Sequence, residues 1–353
     1  MNVAMLAPPW IAVPPPGYGG VESVVSVLTE ALVRRGIDVT LFCAPGSSSS
    51  ADVVPLLAES HPDEIERALY EADHVARAFE EIELALPDFD VVHDHCGFTA
   101  LAMADRLATP FVHTLHGQFN PATAGFYSRH GHKATLVPIS RAQLRSAPAG
   151  LETTDAIPNP VDVAGWPLRE QKDDYLLWVG RINADKGPHR AIAAASAAGV
   201  PLVLAGVVQP GQQAFFEREI APHLDGARVR FAGEVGGAAK RALFAGARAL
   251  LMPIRWEEPF GMVMVEALSC GTPVIAFPEG AAAELVIDGT TGFLVDDEAA
   301  MAAAVGRLPA IAPRDCRDWV AQHCDIDVVA AAYERTYRSA MQLDTAGSAV
   351  ALV

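Results

Sequence analysis

Two glutamates, Glu258 and Glu266, flank seven residues in the run Glu257-Glu258-Pro259-Phe260-Gly261-Met262-Val263-Met264-Val265-Glu266. The run reads as a loop turning into a buried helix that starts near Gly261. The first N–H groups of such a helix have no intrahelical partner and form an anion site. Glu258 then stands just ahead of the anion site, and Glu266 about two turns into the helix. A ligand matched to this order brings hydroxyls to one carboxylate, an anion to the amides, and further hydroxyls to the second carboxylate. A nucleotide sugar has that layout: sugar, pyrophosphate, ribose.

Basic residues supply the complementary charge. Gly180-Arg181-Ile182-Asn183-Ala184-Asp185-Lys186-Gly187 follows a strand and precedes a helix, at the carboxyl edge of a parallel sheet where ligands bind. Arg181 and Lys186 are placed to face one crevice. Arginine gives a planar fork to phosphate oxygens and lysine a compact charge. Pro14-Pro15-Pro16-Gly17-Tyr18-Gly19-Gly20-Val21-Glu22 follows the first strand and opens the first helix. Gly19 and Gly20 permit close backbone approach to a phosphate. The stretch is not a dinucleotide fingerprint, because Glu22 occupies the third glycine position and the second strand ends in Phe42-Cys43-Ala44, without an acid for a ribose.

Histidines mark the first half. His116, in His113-Thr114-Leu115-His116-Gly117, ends a strand and can face the crevice from the opposite wall, whereas His113 reads as a core residue. In His93-Asp94-His95 the two rings alternate to one face. No third ligand accompanies them, so no metal is expected, and His95 is placed near an acceptor. Asp88-Phe89-Asp90 precedes a strand and reads as a helix-to-strand turn. Gly280 is a further backbone-donor candidate, Glu284 a structural residue, and Asp288 to Phe293 a turn.

These residues need a scaffold. Short apolar strands alternate with helices, the pattern of an α/β chain with parallel sheets. Strands are expected at Val3–Leu6, Val39–Phe42, Val91–Val92, Phe111–Leu115 and Thr135–Ile139. They resume at Tyr175–Val179, Leu202–Ala205, Arg228–Phe231, Ala249–Met252 and Pro273–Phe277. Helices are expected at Glu22–Arg34, Asp63–Leu84 and Phe98–Leu107, and another opens at Gly187-Pro188 and closes at Gly199. Ile157 to Pro167 is a linker, giving domains 1–160 and 161–326. A last helix over about 327–341 packs back on the first domain, and the tail after Leu343 frays. At 353 residues, two domains are the default.

Composition bounds the partners. A net charge of −17 argues against nucleic acid and against anionic lipid. No apolar run reaches the ~20 residues of a membrane span, and the N-terminus lacks the features of a signal peptide. Five cysteines without a Cys-x-x-Cys read as core residues of a reducing compartment, so the expected location is cytoplasmic. The acidic Asp63–Leu84 helix makes membrane association unexpected.

Together these motifs resemble the retaining family 4 glycosyltransferases. The run Trp256 to Ala267, continued by Ser269 to Ala276, is similar to that family's signature nearly residue by residue. Gly180-Arg181 with Lys186-Gly187 resembles its phosphate clamp, and Asn159 with Asp162 its interdomain turn, with Pro160 in place of the usual glycine. Pro278-Glu279 stands where many members have glycine. Pro15 to Gly20 resembles a subgroup that includes enzymes of antibiotic oligosaccharide assembly.

The resemblance implies a GT-B fold, two Rossmann-like domains facing a central cleft, closing about a hinge at Pro158 to Pro167. It implies Glu258 on the hydroxyls of the transferred sugar, with the amides of Phe260, Gly261 and Met262, and Glu266 on the ribose. Arg181 and Lys186 would stabilise the departing nucleoside diphosphate, Gly19 or Gly20 would close over the phosphates, and His116 would contact the sugar. The base would lie near Gly233 to Val235. The implied reaction moves a hexose from a UDP- or GDP-sugar to a hydroxyl acceptor, without a cofactor or divalent metal. An epimerase of the same fold and a non-catalytic nucleotide-sugar binder remain as alternatives.

Overall fold

The structure, a computed structural model, describes residues 1–350 apart from Tyr18, Glu66, Leu86 and Pro87, and only the backbone of 344–350. The chain divides into two compact units, Met1–Pro160 with Ile326–Val353, and Val161–Asp325.

The first unit carries strands β1 (Asn2–Leu6), β2 (Asp38–Cys43), β3 (Asp52–Pro55), β4 (Val91–Asp94), β5 (Phe111–Leu115) and β6 (Thr135–Pro138). Its helices are α1 (Gly20–Arg34), α2 (Ala68–Leu84), α3 (Phe98–Met103) and α4 (Pro121–His130). The strands form one parallel sheet in the order β3-β2-β1-β4-β5-β6. The second unit repeats the plan with β7 (Leu176–Val179), β8 (Leu202–Ala205), β9 (Val229–Phe231), β10 (Ala249–Met252), β11 (Val274–Ala276) and β12 (Gly292–Leu294). They are interleaved with α5 (Pro188–Ala198), α6 (Gln213–Phe215), α7 (Gly237–Gly246), α8 (Met262–Ser269), α9 (Ala282–Leu285), α10 (Glu298–Val305) and α11 (Pro313–His323). Its parallel order is β12-β11-β10-β7-β8-β9. Central strands such as β8 (LVLA) and β10 (ALLM) are buried at every position, which is why they read as unbroken apolar runs.

Helix ends follow the local chemistry. α5 starts at left-handed Gly187 followed by Pro188 and stops at left-handed Gly199. Asn120 caps α4 in a reciprocal box with Thr123. The last helix, α12 (Ile326–Val350), lays Val329, Ala330, Tyr333, Tyr337 and Ala340 into the apolar core that holds Leu28 and Leu32 of α1. It also brings two hydroxyls to the sheet. Tyr337 bonds His93 Nδ1 at 2.7 Å, and Tyr333 bonds Thr114 Oγ1 at 2.9 Å.

Several elements differ from the sequence reading. β3 and β12 were not expected. Both are short edge strands, one ending in proline and the other starting at Gly292 directly after Thr290-Thr291. The helix expected from Asp63 starts at Ala68, because Pro62–Glu64 forms a separate 3-10 turn and Ile65 is extended; Glu66 lies outside the described residues. The Phe98–Leu107 helix gives way at Ala104 to a 3-10 turn. The backbone beyond Leu343, expected to fray, is helical to Val350. Among the described residues, no helix is long and apolar enough to cross a membrane.

Burial in the first unit makes its stability sensitive to acid. His74 is fully buried, with Nε2 on the Ala7 carbonyl at 3.0 Å. Burial depresses its pKa to about 4. The unfolded chain, with histidines near the ordinary 6.5, therefore takes up protons first as pH falls. Stability is complete above about pH 6.5 and is lost progressively from there toward pH 4. The urea midpoint is expected to be lower at pH 5 than at pH 7.5, with His74 alone costing on the order of 2 kcal/mol. A His74→Leu variant should show a shallower pH dependence. Equal midpoints at the two pH values would contradict the assignment.

Candidate functional site

Two loops at the carboxyl ends of the neighbouring strands β7 and β10 build the charged centre of the second unit. The β7–α5 loop is pinned by Gly180 N–H on Ala205 O (3.0 Å) and Ile182 N–H on Val207 O (3.0 Å). Asn183 Oδ1 accepts from the Lys186 amide at 2.9 Å, and Trp178 Nε1 donates to the Lys186 carbonyl at 3.1 Å. The loop is then locked to the one after β10. Gly187, at φ 73°, packs so closely that a Cβ there would lie 2.3 Å from the Pro253 carbonyl oxygen. Arg190 Nη1 donates to that same oxygen at 2.9 Å, and Arg255 N–H to Asp185 O at 2.9 Å.

This lock places Lys186 against Glu258. The Lys186 ammonium forms an ion pair with Glu258 Oε2. Trp256 Nε1 donates to the same oxygen at 3.1 Å, and the Trp256 ring centroid lies 4.3 Å from Lys186 Nζ. Side-chain exposures of 16% and 12% leave the pair little water to screen it. Gly280, considered above as a backbone donor, also packs against the Glu258 backbone. At φ 55° it approaches the Glu258 backbone so closely that a Cβ would sit 2.3 Å from both its nitrogen and its oxygen. Ala281 N–H donates to Glu258 O at 2.9 Å.

Gly261, at φ 91°, is the N-cap of α8. The amides of Phe260, Gly261 and Met262 have no acceptor among the described residues. Arg181 is half-buried and makes no hydrogen bond or ion pair among the described residues. The centre thus holds unpaired amides and an unpaired guanidinium on a chain of net charge −17, the requirements of a phosphate site.

Glu266 is the fifth residue of α8, so it lies little more than one turn from the helix start, not two. It is 6% exposed. Lys240 of α7 donates to Oε1 at 2.6 Å, while Oε2 is buried without a partner. Burial raises the Glu266 pKa and Lys240 opposes the rise. Lys240 was missed from sequence, since nothing in the spacing of α7 ties it to α8. Trp256 was read only as part of the motif, and its indole donor becomes visible only with the loop folded.

The first unit holds the other candidates. Gly19 caps α1, and a Cβ there would lie 2.6 Å from Pro15, whereas Gly20 has open space; neighbouring Tyr18 lies outside the described residues. His95, beyond β4, and His116, beyond β5, meet with Nδ1 of His95 2.8 Å from Nε2 of His116. Burial lowers the pKa of His116 to about 3 and holds His95 well below the usual range. Both ring nitrogens of His93 are engaged, Nδ1 by Tyr337 and Nε2 by Thr114 at 2.8 Å. His113 is buried against Asp94 at 2.6 Å. Among the described residues, no group of three His, Cys, Asp or Glu side chains could hold a metal ion.

Two parallel Rossmann-like units, the second with a cationic loop and two acids around a helix start, define the two-domain class of α/β fold to which the chain belongs. Residues 18–164 match the family described as Glycosyltransferase Family 4, and residues 166–310 the family Glycosyl transferases group 1. The chain belongs to the family 4 glycosyltransferases and has the GT-B fold. It is 32% identical to a glycogen synthase of Mycobacterium tuberculosis over 65% of this chain, a stretch that spans 63% of that protein. It is 28% identical to a D-inositol 3-phosphate glycosyltransferase of Mycobacterium avium, over 96% of this chain and 94% of the relative. The crystal structure of AviGT4, a glycosyltransferase involved in avilamycin A biosynthesis, aligns over 97% of this chain and 98% of its own, at 28% identity and a TM-score of 0.74.

The Lys240–Glu266 contact carries a stability prediction. Lys240→Met leaves a buried carboxylate without its cation and should destabilise the second unit by roughly 1–3 kcal/mol in urea unfolding. Adding Glu266→Gln should recover much of the loss. A single variant as stable as the wild type would contradict the pairing.

Proposed function

We propose that the protein transfers a hexose from a UDP- or GDP-sugar to a hydroxyl of a small or soluble acceptor, with retention of anomeric configuration and no divalent metal. The observation that supports this most is the Lys186–Glu258 pair, with Arg181 in the same β7–α5 loop as Lys186 and without a partner among the described residues, and with the free amides at the start of α8. In this reading the diphosphate draws Lys186 away from Glu258. The carboxylate is then free to accept from the sugar hydroxyls, with Trp256 still donating to Oε2. Glu266 Oε2, buried and unpartnered, takes a ribose hydroxyl.

The bond between the anomeric carbon and the β-phosphate oxygen breaks, and the acceptor oxygen bonds the same carbon from the same face. The acceptor's proton passes to the departing phosphate. Charge builds on that phosphate in the transition state, where Arg181, Lys186 and the α8 amides stabilise it. These cations take the part a metal plays in other transferases.

Glu258→Gln and Lys186→Ala are each expected to lower kcat by ~10²–10³ with an unchanged circular dichroism spectrum. The check is a transfer assay over a panel of nucleotide sugars and soluble hydroxyl acceptors, with product anomers read by NMR and EDTA in a parallel arm. Wild-type rates in both variants would overturn the proposal, as would inverted product or loss of activity in EDTA.

A further inference from the structure

His95 and His116 leave the ends of adjacent parallel strands, β4 and β5, whose register pairs Asp94 with His113. Their rings lie 5.1 Å apart at 31°, with Nδ1 of His95 2.8 Å from Nε2 of His116. One hydrogen bond joins two nitrogens of equal chemistry, so one ring must donate and the other accept. The surroundings decide which.

His95 is 3% exposed, and its Nε2 is buried with no hydrogen-bond partner. The His93 ring lies 4.1 Å away and offers nothing to it, since both nitrogens of His93 are held by Tyr337 and Thr114. The position of His95 is also fixed. Its amide donates to Leu6 O at 2.9 Å, and Asp94 is tied to the Cys96 amide at 2.7 Å and to His113.

If His116 donated, neutral His95 would carry its proton on Nε2, and a buried N–H would have no acceptor. Orphaned buried N–H groups are the rarer and costlier defect. If His95 donates, its orphan is only a lone pair. His116 must then accept at Nε2 and carry its own proton on Nδ1. Burial keeps both rings neutral, so a shared extra proton does not blur the choice.

We propose that His95 is a positioning residue that fixes His116 as the Nδ1–H tautomer, so that His116 presents an N–H donor to a ligand oxygen at the carboxyl edge of the first unit's sheet. The tautomer of a histidine is set by the bond its other nitrogen makes, and here that bond comes from His95. Nδ1 of His116 has no partner among the described residues, and the ring is half-buried. The role in transfer rests on the function proposed above; the tautomer does not.

The test is a two-bond ¹H–¹⁵N correlation spectrum of protein labelled with ¹⁵N-histidine, with His116 assigned through His116→Gln. Wild-type His116 should show the Nδ1–H pattern. His95→Phe should return it to Nε2–H and lower kcat about tenfold, the worth of one such hydrogen bond, with the donor KM unchanged. His95→Asn places an amide N–H the same number of bonds from Cβ as Nδ1. It should keep the Nδ1–H pattern and most of the rate, which a merely structural role would not predict. An Nε2–H pattern in wild-type protein would overturn the proposal, even if His95→Phe fails to fold. So would a tautomer unchanged in a folded His95→Phe. Absence of transfer in wild-type protein that shows the Nδ1–H pattern would instead refute the proposed activity.

Discussion

The ion pair between Lys186 and Glu258 is the interaction on which the organisation of the second unit turns. It joins the loop after β7 to the loop after β10, and both partners are largely withdrawn from water. Two opposite charges held this way stabilise each other, yet each remains a poorly satisfied ligand for something better. Under the proposed function, a diphosphate would offer Lys186 more negative charge than one carboxylate, and sugar hydroxyls would offer Glu258 neutral donors. The pair holds the two loops together, and in the proposed reading its two members would separate to the two ends of one ligand. Trp256 reinforces both halves, with its ring near the ammonium and its N–H on the carboxylate.

The scaffold explains why these side chains meet. Gly187 against Pro253 and Gly280 against Glu258 are backbone contacts that no side chain could share. They let three loops of one sheet edge approach more closely than ordinary packing allows. In the first unit the same economy of space is achieved with polar groups. α12 returns from the far end of the sequence to place Tyr333 and Tyr337 on Thr114 and His93. That network engages His93 beside His95, while burial keeps the His95 and His116 rings neutral.

Much of this was legible in the residues. The alternation of apolar runs with amphipathic helices, and the proline and glycine that bracket α5, read directly as local rules. Edge strands did not: β3 carries a proline and β12 is three residues long, and each is a strand only because a neighbour pairs with it. Glu258 and Glu266 stood out because they share one short motif, but the depth of Glu266 was overstated, as Gly261 caps a helix that begins at Met262. Lys240 was invisible because its partner is on another helix. Gly280 read as a ligand donor because a glycine in a loop shows only that backbone approaches something. One such approach is to the Glu258 backbone.

The central claim is that the second unit binds through a diphosphate held by Arg181 and Lys186. Isothermal titration of wild-type protein with uridine against UDP, and guanosine against GDP, measures that contribution with the base held constant. The account predicts that in at least one pair the diphosphate binds about 100-fold more tightly, as two charge-assisted contacts would give. It also predicts that the gap closes in the Arg181→Ala/Lys186→Ala variant. Equal affinities for nucleoside and diphosphate, or a gap that survives loss of both cations, would contradict it.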